Sequence, residues 1–221
     1  MSAFFLCKKI VRRTVCLFSC AFVAISCLIA SVISRTQTVY TSTSFYFLVS
    51  DNTHTQVSAH WIQLMGGAGY LLCLDNREYA AYAVYLDESK GESALRSVQV
   101  RDESAKIYSM QVNGCIRADS IRQGALNTLL GNIQVVSAET ERLAQGATQQ
   151  SCRRILQTVQ KQLRYMAKTY TESFPTCAQA CFSAEKELEQ VLQGIIFVRD
   201  LRHFLCSLCV SYLDLQEKVY W

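Results

Sequence analysis

Residues 14–34 carry no charged side chain. At about 1.5 Å of rise per residue a helix of that length spans roughly the 30 Å hydrocarbon core of a bilayer. The run is read as a membrane anchor, with a cleaved or lipidated leader as the competing reading because both share a basic start and an apolar stretch. Residues 35–43 are polar and read as a stalk. The rhythm then changes to that of a small mixed unit. Residues 44–50 (SFYFLVS) are aromatic and β-branched, as strands are. Thr53-His54-Thr55-Gln56 has the form of a capping box, with Val57, Trp61 and Leu64 on one helical face and Gly66-Gly67 as the stop. Residues 70–74 and 78–86 flank the turn residues Asp75-Asn76-Arg77 and predict an antiparallel hairpin. Asp87 is placed to cap a helix bearing Ala94, Leu95 and Val98, and residues 105–112 predict a fourth strand.

That order, β-α-β-β-α-β over residues 44–112, predicts an α+β unit of the ferredoxin-like kind. From residue 113 to the end the period is helical throughout. Ile121, Ala125, Leu129, Ile133 and Val136 form one stripe, and Cys152, Ile155, Val159, Leu163, Met166 and Tyr170 a second. Pro175 divides the region. Cys181, Ala184, Leu188, Val191 and Ile195 follow, then Val198, Leu201, Leu205, Leu208, Tyr212 and Leu215. Antiparallel helices with short connections are the economical packing, either as a bundle of their own or laid on the sheet. The expected organisation is therefore a basic tail (1–13), an anchor (14–34), a stalk (35–43), a mixed domain (44–112) and a helical region (113–221).

Composition and charge refine this. With 50% hydrophobic residues, 18% charged and a single proline, the chain has enough apolar surface to fold. The net charge of +4 equals the contribution of Lys8, Lys9, Arg12 and Arg13, so the remainder is close to neutral and no nucleic-acid footprint is indicated. By the positive-inside bias those four residues place the start in the cytoplasm and the rest outside a single-pass membrane.

The aromatic opening Phe45-Tyr46-Phe47, the helix ending in Gly66-Gly67-Ala68-Gly69-Tyr70, and the passage Tyr82-Ala83-Val84-Tyr85-Leu86-Asp87-Glu88 resemble the SPOR domain, a small peptidoglycan-binding module of bacterial division and sporulation proteins. The resemblance covers about a third of the chain. It implies a cell-wall glycan as partner, no cofactor and no catalysis, with a sheet platform at Tyr46, Leu48, Tyr82 and Val84. Two positions that are polar or basic in many such domains are apolar or aromatic here, Leu48 and either Ala81 or Tyr82. Alternation sets Phe45, Phe47 and Val49 against Tyr46, Leu48 and Ser50, so both faces of the first strand are largely apolar. The sheet then either offers a tyrosine platform, Tyr46, Tyr82 and Tyr108, or is covered by the protein's own helices in an envelope scaffold that binds a protein partner.

Other chemistry is thinly supported. Of eleven cysteines, Cys177 with Cys181 and Cys206 with Cys209 have spacings that occur in zinc sites, but both pairs sit in apolar helical patterns and read as packing thiols. A thiol- or zinc-dependent protein is the third reading. His54 and His60 are six residues apart and fall on different faces of one helix. Asp87-Glu88, Asp102-Glu103 and Glu185, Glu187 and Glu189 lie at caps or on wet faces, with no nucleophile beside a base.

Overall fold

The computed structural model describes residues 36–217 apart from Thr53 and Asp75. Its elements run β1 (Thr36–Ser50), α1 (Thr55–Leu64), β2 (Tyr70–Leu74), β3 (Arg77–Tyr85), α2 (Glu88–Gln99), β4 (Ala105–Asp119), α3 (Ser120–Ala144), α4 (Gln149–Thr169), α5 (Pro175–Leu192) and α6 (Val198–Glu217). The strands form one sheet in the order β2-β3-β1-β4 with every neighbouring pair antiparallel.

Local chemistry accounts for the element ends. Asp87 is the N-cap of α2, its carboxylate accepting from the amides of Ser89 (2.8 Å) and Lys90 (3.3 Å). Thr148 caps α4 in the same way through the Ser151 amide, at 3.3 Å. Pro175 opens α5, where its missing N–H leaves nothing unsatisfied. The expected capping box differs: Thr53 lies outside the described residues, and the N-cap of α1 is His54, which makes no side-chain cap bond.

The expected fold class requires correction. Among the described residues no helix is long and apolar enough to cross a membrane, and the anchor expected at 14–34 lies outside them. The helices after residue 113, for which a bundle of their own and a layer on the sheet are both open, do both: they pack on one another, and the last of them also lies on the sheet. Residues 36–43, expected as a stalk, belong to β1 and pair with the far half of β4 up to Asp119, a register that the threonine-rich segment sustains. One core then joins sheet to helices: Phe45, Phe47 and Val49 of β1 share it with Leu129 of α3, Leu163 of α4, Leu188 of α5 and Leu208 of α6. Phe45 and Tyr212 of α6 meet edge to face at 5.7 Å.

The helices α3 to α6 close into an antiparallel bundle, each touching the next and α6 returning to α3. Because α6 has both the sheet and the bundle as neighbours, its apolar surface wraps beyond one stripe, with Phe204, Cys206 and Cys209 buried in addition to Leu201, Leu205 and Leu208. Gln149 secures the α5–α6 connection, its side-chain amide donating to the Ile196 carbonyl (2.8 Å) and accepting from the Ile196 amide (3.0 Å). Arg153 donates to the carbonyls of Leu192 and Gly194 at the same corner.

On the opposite face a second, smaller core lies under α1 and α2. There Leu48, Ala80 and Tyr82 meet Ala59 and Ile62 of α1, with Ala94, Leu95 and Val98 of α2 packed alongside. Both faces of the sheet are thus occupied, in keeping with the two-sided apolar character of Phe45 to Val49.

Candidate functional site

The four residues expected to form one platform are divided between the two faces. Tyr46, Leu48 and Tyr82 lie on the α1–α2 side, whereas Val84 pairs with Phe47 and belongs to the core beneath the bundle. The cause is a β-bulge. Leu48 is registered with Ala83 and Val49 with Ala81, so Tyr82 is the extra residue and the two-residue alternation breaks between Tyr82 and Val84. Leu48 is 1% exposed and Tyr82 8%, while the other face is covered by α6. An open tyrosine platform on the bare sheet is therefore not present. Tyr108, the third tyrosine considered, is on the bundle side, where its hydroxyl bonds that of Tyr79 at 2.8 Å and the Lys106 ammonium stands 5.0 Å from its ring centre.

What the fold builds instead is a cleft. Helix α1 approaches the sheet through the small side of its surface, Ala59 and Ile62, over the alanine-rich β3. Gly67 is required there, since a Cβ would lie 2.5 Å from Ile62 Cγ2. The face expected to be buried, Val57, Trp61 and Leu64, points outward instead and is joined by Met65; these four are 71%, 40%, 66% and 46% exposed. Hydrophobic periodicity located the helix but not its inner face, because two apolar stripes compete on it and the smaller one fits the sheet.

Between α1 and α2 a depression of about 370 Å³ has Leu48, Tyr82 and Ala83 as its floor and Trp61, Met65 and Val98 as its walls, with Arg101 and Arg202 at its rim. Trp61 and Arg101 also border a second depression of about 590 Å³, lined by Ser50, Asn52, His54, Ser58 and Asp102. The two adjoin through these shared residues; both are mainly apolar, and the second, which also has Val57 in its lining, adds hydroxyl, amide and carboxylate groups.

Hydrogen bonds fix this surface. The Tyr82 hydroxyl donates to Asp102 Oδ2 at 2.9 Å, and the Ser104 hydroxyl and amide donate to Oδ1 at 2.6 and 3.0 Å. Burial alone would raise the Asp102 carboxyl, but the bonds from Ser104, Ser50 and Tyr82 outweigh it and hold the group below its ordinary 3.8. The Tyr82 hydroxyl is pushed up, by burial first and by Asp102 second. Both ends of the pair therefore keep their protonation states near neutrality. At the opposite end Arg202 of α6 donates to the Gly66 carbonyl at 2.9 Å, which ties the loop after α1 to the bundle.

Among the described residues no group of three or more His, Cys, Asp or Glu side chains is arranged to hold a metal ion. Cys177 and Cys181 are buried with their sulfurs 3.9 Å apart, and Cys206 and Cys209 are buried on α6. Burial raises the thiols of Cys206 and Cys209, and raises Cys152 to about 11, where a thiolate nucleophile is scarce. His54 and His60 are exposed, and His203 Nδ1 lies 3.0 Å from the Ala68 carbonyl.

Trp61, Arg101 and Arg202 were missed as site residues from the sequence. Trp61 reads from the sequence only as part of the apolar face of α1, and the arginines are brought together only by tertiary packing. No known protein-family model, no curated protein and no solved structure matches the chain.

Proposed function

We propose that the protein is a non-enzymatic binding module of the bacterial envelope that receives peptidoglycan glycan in the cleft between α1 and α2. The observation that carries the reading is Trp61, half exposed between two adjoining depressions that are both mainly apolar and carry polar side chains among their lining. A sugar is amphipathic in the same sense: its C–H face rests on an aromatic ring while its rim of hydroxyls requires donors and acceptors. The exposed Asn52 and His54 supply these, and Arg101, which borders both depressions, fits the carboxylates that peptidoglycan carries along its strands. The resemblance of residues 44–112 to SPOR modules supports the same partner, with the contact surface moved from the bare sheet to the cleft.

Cosedimentation with purified sacculi tests this. The wild-type protein pellets, and Trp61→Ala and Arg101→Ala each leave most of it in the supernatant. A wild-type protein that stays in solution, or a Trp61→Ala variant that pellets equally, removes the proposal.

A second reading, an envelope scaffold that binds a protein partner, is favoured by the exposed stripe of Val57 and Leu64 and by Val100, 85% exposed at the end of α2. Under that reading Leu64→Glu abolishes partner capture, and wild-type protein does not bind sacculi.

A further inference from the structure

The antiparallel pair α4 and α5 leaves a groove of about 680 Å³ on the outside of the bundle, remote in sequence from the cleft. It follows α5 from Pro175 to Lys186, roughly 16 Å at the α-helical rise, or three turns. The floor is small and apolar, Ala167 and Ala178, and Phe182 stands beside it with 51% of its surface exposed. The rim is cationic: Arg164 and Lys168 from α4 and Lys186 from α5.

The acid in the lining, Glu185, offsets part of this charge: it is 3% exposed, its Oε1 accepts from Arg164 Nη2 (2.5 Å), Arg164 Nε (3.1 Å) and Gln160 Nε2 (3.2 Å), and its Oε2 lies 4.0 Å from Lys186 Nζ, which leaves Lys168 as the uncompensated cation of the rim. Lys186 also meets Glu189 at 2.8 Å, but both groups are well exposed and such pairs contribute little. Lys168 has no ion-pair partner among the described residues.

We infer that this groove docks an acidic amphipathic helix of a partner protein. A helix lying along the seam sets its apolar stripe on Ala167, Ala178 and Phe182, and its flanking carboxylates meet Lys168 and Lys186. The small floor residues permit close approach, and Phe182 supplies the aromatic anchor that such interfaces concentrate their energy on. Charge argues against the chain's own amino-terminal segment as occupant, since Lys8, Lys9, Arg12 and Arg13 bring like charge to the rim.

The test uses the full-length protein and two fluorescent helical peptides of about 15 residues sharing one leucine and phenylalanine stripe, one flanked by glutamate and the other by lysine. By anisotropy the acidic peptide binds saturably and the lysine peptide at least about tenfold more weakly. Phe182→Glu and Lys168→Glu each reduce the affinity for the acidic peptide by about tenfold or more, and added salt weakens it further. Both side chains are exposed, so unchanged circular dichroism melting separates loss of docking from loss of fold. The inference fails if neither peptide saturates, if the two bind alike, or if Phe182→Glu leaves the affinity intact. It fails equally if phosphatidylglycerol vesicles, rather than the peptide, bind through Phe182 and Lys168.

Discussion

Removing the phenyl ring of Phe45 tests whether sheet and helices fold as one. The side chain is fully buried, and its ring meets Tyr212, itself 1% exposed, edge to face at 5.7 Å. Phe45→Ala deletes a large apolar group where the sheet touches α6, and substitutions of this kind destabilise by about 3–5 kcal/mol through lost transfer energy and the cavity left behind. About 0.5–1.5 kcal/mol of that belongs to the aromatic pair. For a chain of this size each kcal/mol moves the melting temperature by roughly 2–4 °C, so a fall of about 6–20 °C is expected. Urea unfolding is followed by far-ultraviolet circular dichroism, dominated by the bundle, and by Trp61 fluorescence in a Trp221→Phe background. Both midpoints shift together if the core is shared. In a cycle with Tyr212→Ala, the double variant loses less than the sum of the singles by an amount in the range of about 0.5–3 kcal/mol. A dichroism midpoint that stays in place while the Trp61 signal moves would show two independently folding units and refute the shared core.

Gly69 and Gly66 both have positive φ, +58° and +86°, but a Cβ on Gly69 would lie 2.5 Å from the Ala59 carbonyl whereas one on Gly66 meets nothing within 4 Å. Gly66→Ala is expected to lose about 1–2 kcal/mol and Gly69→Ala clearly more, measured by urea unfolding; equal losses would contradict the close approach of α1 to its loop. Tyr82→Phe removes one of the bonds that lower the Asp102 carboxyl, whose stabilising contribution is present above its ordinary 3.8 and is lost as the pH falls through its lowered value. The variant is therefore less stable near neutrality and unfolds at a higher pH on acid titration by circular dichroism; an unmoved acid midpoint counts against the coupling. Cys73 is exposed whereas Cys206 and Cys209 are buried, so peptide-level alkylation of the native protein marks Cys73 orders of magnitude sooner. Comparable labelling of all three would mean that α6 detaches from the sheet.

What could be read from the chain beforehand was set by the range of the interactions involved. The Asp87 cap and the break at Pro175 are local, and each appears where the residues place it, whereas Arg77, expected in the turn, is the first residue of β3. The inner face of α1 was misread because Val57, Trp61 and Leu64 outweigh Ala59 and Ile62 on any hydrophobic scale. The choice between the stripes was made by Ala80 on a neighbouring strand and by the clash a side chain at Gly67 would create with Ile62. The division of Tyr82 from Val84 depends on a bulge that no turn residue announces. The stalk was misjudged for a related reason: the polar segment before Ser44 is a strand only because β4 continues to Asp119 beside it. Candidate site residues were legible as residue types, since Leu48 and Tyr82 do line the cleft, but not as a set.

The helical half has a definite relation to the cleft. Consecutive residues of α6 hold two carbonyls of the loop that follows α1, Arg202 that of Gly66 and His203 that of Ala68. A carbonyl can only accept, so the His203 proton is on Nδ1 and the ring is oriented by the loop, with Tyr70 stacked edge to face at 5.2 Å. Gly67 and Arg202 both border the depression beside Trp61. One wall of the cleft is therefore set by a helix that is itself fixed by the sheet on one side and the bundle on the other. That arrangement gives physical content to the presence of the bundle on a chain whose cleft lies on the far side of its sheet: α6 holds the loop after α1 in place, and the position of α1 determines the width of the cleft.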